Sequence, residues 1–195
     1  METAKRECIL IEAAKAFTRF GFQKASVDEI AKNAGVAKGT IYLAAPSKAD
    51  LFYEVLLREQ RAWNAEMSKR IDPRRNADEI LVEVSWNSIN TLDERPLVRD
   101  LMLGHHAEMV PALADKIDEL RQIAAEPVAE VLRLGVRQKR FRADLDVDAV
   151  ARVLLDLHIS TLMFVMKGPD VAAKLQRRAK AGFDLILRGL LAAPA

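Results

Sequence analysis

An all-α fold of about nine helices is what this sequence predicts, on three observations. Apolar residues recur at helical spacing along most of the chain, as in Leu10, Ala13, Ala14 and Phe17, or Val147, Val150, Ala151, Leu154 and Leu155. Glycine, proline and N-capping residues punctuate these runs at Gly21, Ser26, Gly35, Pro46, Pro96 and Gly168-Pro169. No alternating apolar and polar run of strand length, no repeat and no low-complexity tract is found.

The first helix covers residues 5–20 and closes at Gly21, with Phe22 as the hydrophobic contact that follows a glycine cap. Ser26 with Glu29 forms a capping box, and Val27, Ile30, Ala31 and Ala34 make an apolar stripe that stops at Gly35, a residue suited to left-handed geometry. After the turn Gly35-Val36-Ala37 a helix of about two turns runs from Lys38 to Ala44. Two short helices joined by a tight glycine-containing turn, with cationic and hydroxyl side chains on the second, are the pattern of a helix-turn-helix that fits a DNA major groove.

Pro46 breaks the chain, Ser47 starts afresh as an N-cap, and a long helix follows from about Lys48 to Arg70. Helical patterns resume at Ala77–Leu92 and, in one or two pieces, at Pro96–Met109. Pro111–Arg140 reads as a long helix that Pro127 should kink or split. Asp146–Lys167 is apolar on more than one face, and Val171, Leu175, Ala179, Phe183, Ile186 and Leu190 mark a final helix. The surplus apolar face of these last two helices suits pairing with the same helices of a second chain, as a four-helix bundle about a two-fold axis.

Composition narrows the class. With 195 residues and 50% hydrophobic content the chain can bury a substantial core. The single cysteine, Cys8, excludes an internal disulfide and is expected to be a buried structural thiol in a reducing compartment. A charged start, and no run near the roughly 20 apolar residues of a membrane span, predict a cytoplasmic protein with no membrane association. The net charge of +2 lies wholly in residues 1–50, in keeping with a phosphate-facing front end.

Ile9-Leu10 through Phe17, Gly21-Phe22, Ser26-Val27 with Ile30-Ala31, Ala34-Gly35-Val36, Lys38-Gly39-Thr40-Ile41-Tyr42 and Pro46-Ser47-Lys48 with Leu51-Phe52 together resemble the tetracycline-repressor (TetR) family of bacterial transcription regulators. The resemblance covers roughly residues 5–56. It implies a homodimeric, repressor-type regulator with a three-helix DNA-binding domain at 1–50 and a helical effector-binding and dimerisation domain at 51–195.

Carried over by position, Lys38, Gly39, Thr40 and Tyr42 correspond to recognition-helix residues that meet DNA, and Lys48 to a phosphate-contacting lysine; Ser26 and Leu43 complete the expected DNA-binding set. Each side chain suits its role. Gly39 lets the helix approach the groove, Thr40 can meet a base edge or thymine methyl, Tyr42 can hydrogen-bond a phosphate, and the lysines attract the backbone. Ser26 opens a helix N-terminus toward phosphate. The sequence departs from the family pattern at Ala37, which replaces a hydroxyl N-cap, and at Leu43, Ala44 and Ala45, where aromatic or histidine residues are usual. Readout therefore leans on Thr40, apolar methyl contacts and DNA shape.

For the effector the expected lining is Trp63, Met67, Trp86, Asn90, Met102, His105, Met109, His158 and Leu162, an apolar wall with a few polar groups. His105-His106 with Glu108, and Asp156 with His158, lack metal-ligand spacing, so neither a metal nor another cofactor is expected. No nucleophile elbow, Walker loop, dinucleotide fingerprint or catalytic carboxylate pair occurs, which argues against an enzyme. The reading is a ligand-responsive regulator that binds a palindromic double-stranded DNA operator as a homodimer and is released by a small apolar or amphipathic effector. The alternative is a helical small-molecule- or partner-binding protein with weakened DNA binding, suggested by Leu43, Ala44 and Ala45.

Overall fold

The structure, a computed structural model, describes residues 3–91, 94–102, 110–165 and 181–192. It contains α1 (Thr3–Lys24), α2 (Val27–Asn33), α3 (Lys38–Ala44), α4 (Lys48–Ser68), α5 (Ala77–Asn90), α6 (Pro96–Met102), α7 (Val110–Arg137) and α8 (Val147–Val165). A further helix, α9, is described over residues 181–190. Beyond these helices the described residues hold one isolated β-bridge, Phe141 with Leu191. The fold is all-α. The predicted stretches 103–109, 166–167 and 171–180 lie outside the described residues.

Two compact units result, one of Met1–Ala62 with Asp93–Leu120, the other of Trp63–Leu92 with Arg121–Ala195. In the first, α1 buries Ile9, Leu10, Ala13, Ala16 and Phe17 along one face. Gly21, at φ 71° and ψ 169°, departs from helical geometry there. Phe22 lies against Phe17 at 6.0 Å and Phe52 at 5.6 Å, while Phe17 meets Phe52 edge-on at 5.0 Å. This three-ring cluster fastens α1 to α4, whose Leu51, Phe52, Val55 and Leu56 are fully buried. Two ties anchor the α4 start further. Ser47 Oγ accepts from the Asp50 backbone N–H at 3.1 Å, and Lys116 of α7 donates to Asp50 at 2.6 Å. Lys116 and Ser47 together hold the Asp50 carboxyl below the usual carboxylate range.

In the second unit, Ile80, Leu81, Val131, Leu132, Phe141, Ala151, Leu155 and Leu190 form a continuous core. Phe141 packs so closely on Gly135 that a Cβ there would overlap its ring, 2.7 Å from Cγ and nearer still to two other ring carbons. Gln138 closes the connection before α5, accepting from the Ala77 N–H at 3.0 Å and donating to the carbonyls of Pro73 and Arg75. Within the basic run Arg137, Lys139, Arg140 and Arg142, Arg140 is engaged by Asp78 in the first turn of α5, Nη2 to Oδ2 at 3.0 Å. The chain's last described residues return here, with Arg142 N–H donating to Leu190 O and Ala192 N–H to Arg140 O, each at 2.9 Å.

Of the two outcomes expected at Pro127 one falls away, and the expectation for Cys8 is corrected. Pro127 does not split its helix: α7 is continuous from Val110 to Arg137. Proline removes the N–H that would reach the carbonyl four residues back, Ile123, and that carbonyl instead accepts from Asn64 Nδ2 at 2.5 Å. Cys8 is exposed rather than buried, because the face of α1 that faces the core is filled by Ile9, Leu10 and Ala13; its thiol donates weakly to Ala34 O at 3.8 Å.

Candidate nucleic-acid interface

The turn between α2 and α3 is closed by main-chain hydrogen bonds. Ala31 O accepts from Val36 N–H at 3.0 Å and Lys32 O accepts from Gly35 N–H at 3.2 Å, the paired bonds of a Schellman ending with Gly35 at φ 66° in the left-handed region. The start of α2 is fixed by Ser26, whose hydroxyl accepts from Glu29 N–H at 3.4 Å. The N-cap of α3 is Ala37, with no side-chain hydrogen bond, so the helix begins on the 2.8 Å bond from Thr40 N–H to Ala37 O. Because α1 packs on α2 and α2 on α3, the three helices form one support.

That support divides α3 into two faces. Ile41 and the following Ala45 are each 1% exposed, so the helix is seated by an isoleucine and by a methyl at the place where the family pattern has a ring. Lys38, Gly39, Tyr42 and Leu43 are exposed, Leu43 at 80%, while Thr40 is half-buried. Space around Gly39 is open, with nothing within 4 Å of a Cβ added there. A cation, a helix surface without a side chain, a phenol and a bare isobutyl group thus share the outward side.

The lysines differ. Lys38 Nζ donates to Asp28 Oδ2 at 2.9 Å, and that carboxylate raises its pKa. Lys48 is half-buried, with its ammonium 4.7 Å from the Phe22 ring centre and donating to Gln23 O at 3.1 Å; burial lowers its pKa. Neither partner is visible in apolar periodicity. The Asp28–Lys38 pair depends on the Schellman turn folding the α2 start toward the α3 start, and ten residues of separation give no sequence signal for it.

The expected effector residues are distributed as follows. Trp63 and Met67, four apart on α4, are buried at 6% and 4% exposure, and Trp63 Nε1 is buried without a hydrogen-bond partner among the described residues. His158 on α8 is half-buried, and burial pushes its imidazole down to about 4, so it is neutral at pH 7. Trp86, Asn90, Met102 and Leu162 fall on α5, α6 and α8 but their side chains lie outside the described residues, as do His105 and Met109 altogether. A cavity of about 380 Å³ in the first unit is lined by Ala14, Thr18, Arg95, Leu97 and neighbours, none of them an expected effector residue. Among the described residues no three His, Cys, Asp or Glu side chains converge as a metal site.

The geometry defines a helix-turn-helix protein of the DNA-binding kind. Residues 9–55 match the model of the bacterial regulatory proteins, tetR family. The HTH-type transcriptional regulator AcrR of Shigella flexneri is 28% identical over 197 residues, covering 97% of this chain and 90% of its own. The HTH-type transcriptional repressor BepR of Brucella suis is 25% identical over 94% of this chain and 86% of its own. Among solved structures, Thermus thermophilus FadR, a TetR-family repressor in complex with lauroyl-CoA, superposes with a TM-score of 0.69 at 24% identity, covering 97% of each chain. Residues 9–55 thus match the DNA-binding region of the tetR family, and the chain is a DNA-binding regulator similar to these proteins over nearly its whole length. No described helix is long and apolar enough to cross a membrane.

Proposed function

We propose that the protein is a cytoplasmic, homodimeric repressor that docks α3 in the major groove at each half of a palindromic operator and leaves it when a small apolar or amphipathic effector binds. The observation that carries this reading is the division of α3: Ile41 faces the core while Lys38, Gly39, Tyr42 and Leu43 face outward. In this reading Lys38 and Tyr42 meet phosphates, Gly39 allows close approach, Thr40 and Leu43 meet base edges and thymine methyls, and Ser26 presents the α2 N-terminus to the backbone. Lys48 keeps donor capacity beyond its bond to Gln23 for a phosphate.

Residues 1–50 would supply DNA binding and 51–195 effector binding and pairing. For the effector, the buried Trp63 indole N–H calls for an acceptor atom, and Met67 on the same helix face and neutral His158 suit a molecule with a large apolar part. Thermus FadR with bound lauroyl-CoA supplies a relative whose ligand has that character. Effector binding then biases α4, which begins beside the DNA-binding helices and carries Trp63 and Met67, between a DNA-fitting and a non-fitting arrangement of the dimer.

Selection of bound sequences from a random duplex pool, followed by anisotropy titration, tests the reading. Recovery of a two-fold symmetric site with salt-dependent binding is expected. Uniform weak binding with no recovered site would favour a helical binding protein with degraded DNA contacts instead.

A further inference from the structure

We propose that Asp28 is an internal competitor of DNA phosphate for Lys38, and so sets how strongly the reading head is attracted to any duplex. The inference rests on α3 being the DNA-facing helix. Lys38 is the first residue of α3 and the only lysine within it, and its ammonium is 2.9 Å from an Asp28 oxygen. Both side chains are open to solvent, Lys38 at 52% and Asp28 at 67%, so the pair is no packing element. Asp28 occupies the first turn of α2 beside Glu29, where a carboxylate also answers the helix dipole. The groups facing Lys38 electrostatically are Asp28 and, more weakly, Tyr42.

An exposed ion pair is weak, so a phosphate can take the lysine, but the exchange returns less than a free cation would give. The carboxylate remaining at the edge of the interface also repels the backbone. Phosphate contacts carry no sequence information, so the effect of Asp28 falls equally on operator and non-operator DNA.

Anisotropy titrations of the full-length protein over a range of salt, with a random-sequence duplex and with a site recovered by selection, decide the matter. Asp28→Asn should bind both duplexes about two- to five-fold more tightly, the range an exposed ion pair allows. Its plot of log affinity against log salt should steepen by up to about 0.9, the weight of one phosphate contact, because Lys38 then reaches phosphate without leaving a carboxylate for a counterion to neutralise. In a Lys38→Met background the same change should give no gain in slope and little in affinity. Glu29→Gln removes an equal charge one residue along without releasing a lysine, and should leave the slope unchanged. Unchanged or weaker binding by Asp28→Asn overturns the proposal, as does an undiminished gain in Lys38→Met or an equal one from Glu29→Gln. A wild-type protein that binds the random duplex yet prefers no recovered site would defeat the operator reading, while the random-duplex titrations still judge Asp28.

Discussion

Asn64 of α4 donates its side-chain amide to Ile123 O, the carbonyl that Pro127 leaves without a helical partner. A fully buried carbonyl without a donor costs about 1–3 kcal/mol, and Ile123 is half-buried, so Asn64→Ala should destabilise the protein at the low end of that range, by about 1 kcal/mol. Pro127→Ala restores an N–H to the helix ladder, and in that background Asn64→Ala should cost markedly less. Urea unfolding of the four proteins measures the coupling. Equal cost of Asn64→Ala in both backgrounds would show that the amide stabilises α7 in some other way.

His158 gives stability a pH dependence. Its folded value of about 4 lies below the ordinary 6.5, so the unfolded chain takes up the proton first as pH falls. The contribution is complete above about pH 6.5 and is lost progressively toward about pH 4, by at most about 3 kcal/mol. His158→Gln should flatten the curve of unfolding free energy against pH in that window and leave the region above pH 7 level. A wild-type curve already level between about pH 6.5 and 4 would contradict this.

The proposed pairing makes α8 and α9 the place to break a dimer. Val153 and Leu157, one turn apart on α8, are 57% and 49% exposed, and Leu185 on α9 is 75% exposed, although Ala151, Leu155 and Leu190 of the same helices are buried. Leu157→Arg, alone or with Val153→Glu, should therefore shift sedimentation from dimer to monomer and weaken operator binding sharply, because one reading head engages only one half-site. Retained helical content by circular dichroism would separate this from unfolding. A wild-type protein that sediments as a monomer at micromolar concentration would remove the premise.

These features were not equally readable from residues alone. Helix limits around the turn follow from local chemistry: Ser26 caps, Gly35 at φ 66° ends, and Ile41 alternates with exposed neighbours, all within a few residues. That Pro127 leaves its helix unsplit was not legible, because Asn64, which is remote in sequence, supplies the missing donor. Cys8 misled because its type favours burial, whereas its place on α1 is outside the stripe of Ile9, Leu10 and Ala13. The inward anchoring of Lys48 on Gln23 and Phe22 likewise depends on how Gly21 turns the chain.

Gly39 separates stability from binding. It sits in the first turn of α3, directly after Lys38, with open space where a Cβ would be, so Gly39→Ala should preserve the fold and raise stability by about 0.4–1 kcal/mol through the lower entropy of the unfolded chain. Gly39→Leu should also fold, yet its side chain would stand between the helix and the groove floor. Operator affinity is expected to fall at least about tenfold in Gly39→Leu, equivalent to about 1.4 kcal/mol, with Gly39→Ala intermediate. Parallel thermal melts and anisotropy titrations measure both quantities on the same preparations. If Gly39→Leu bound its operator as tightly as the wild type, the outward side of α3 would not be the surface that enters DNA.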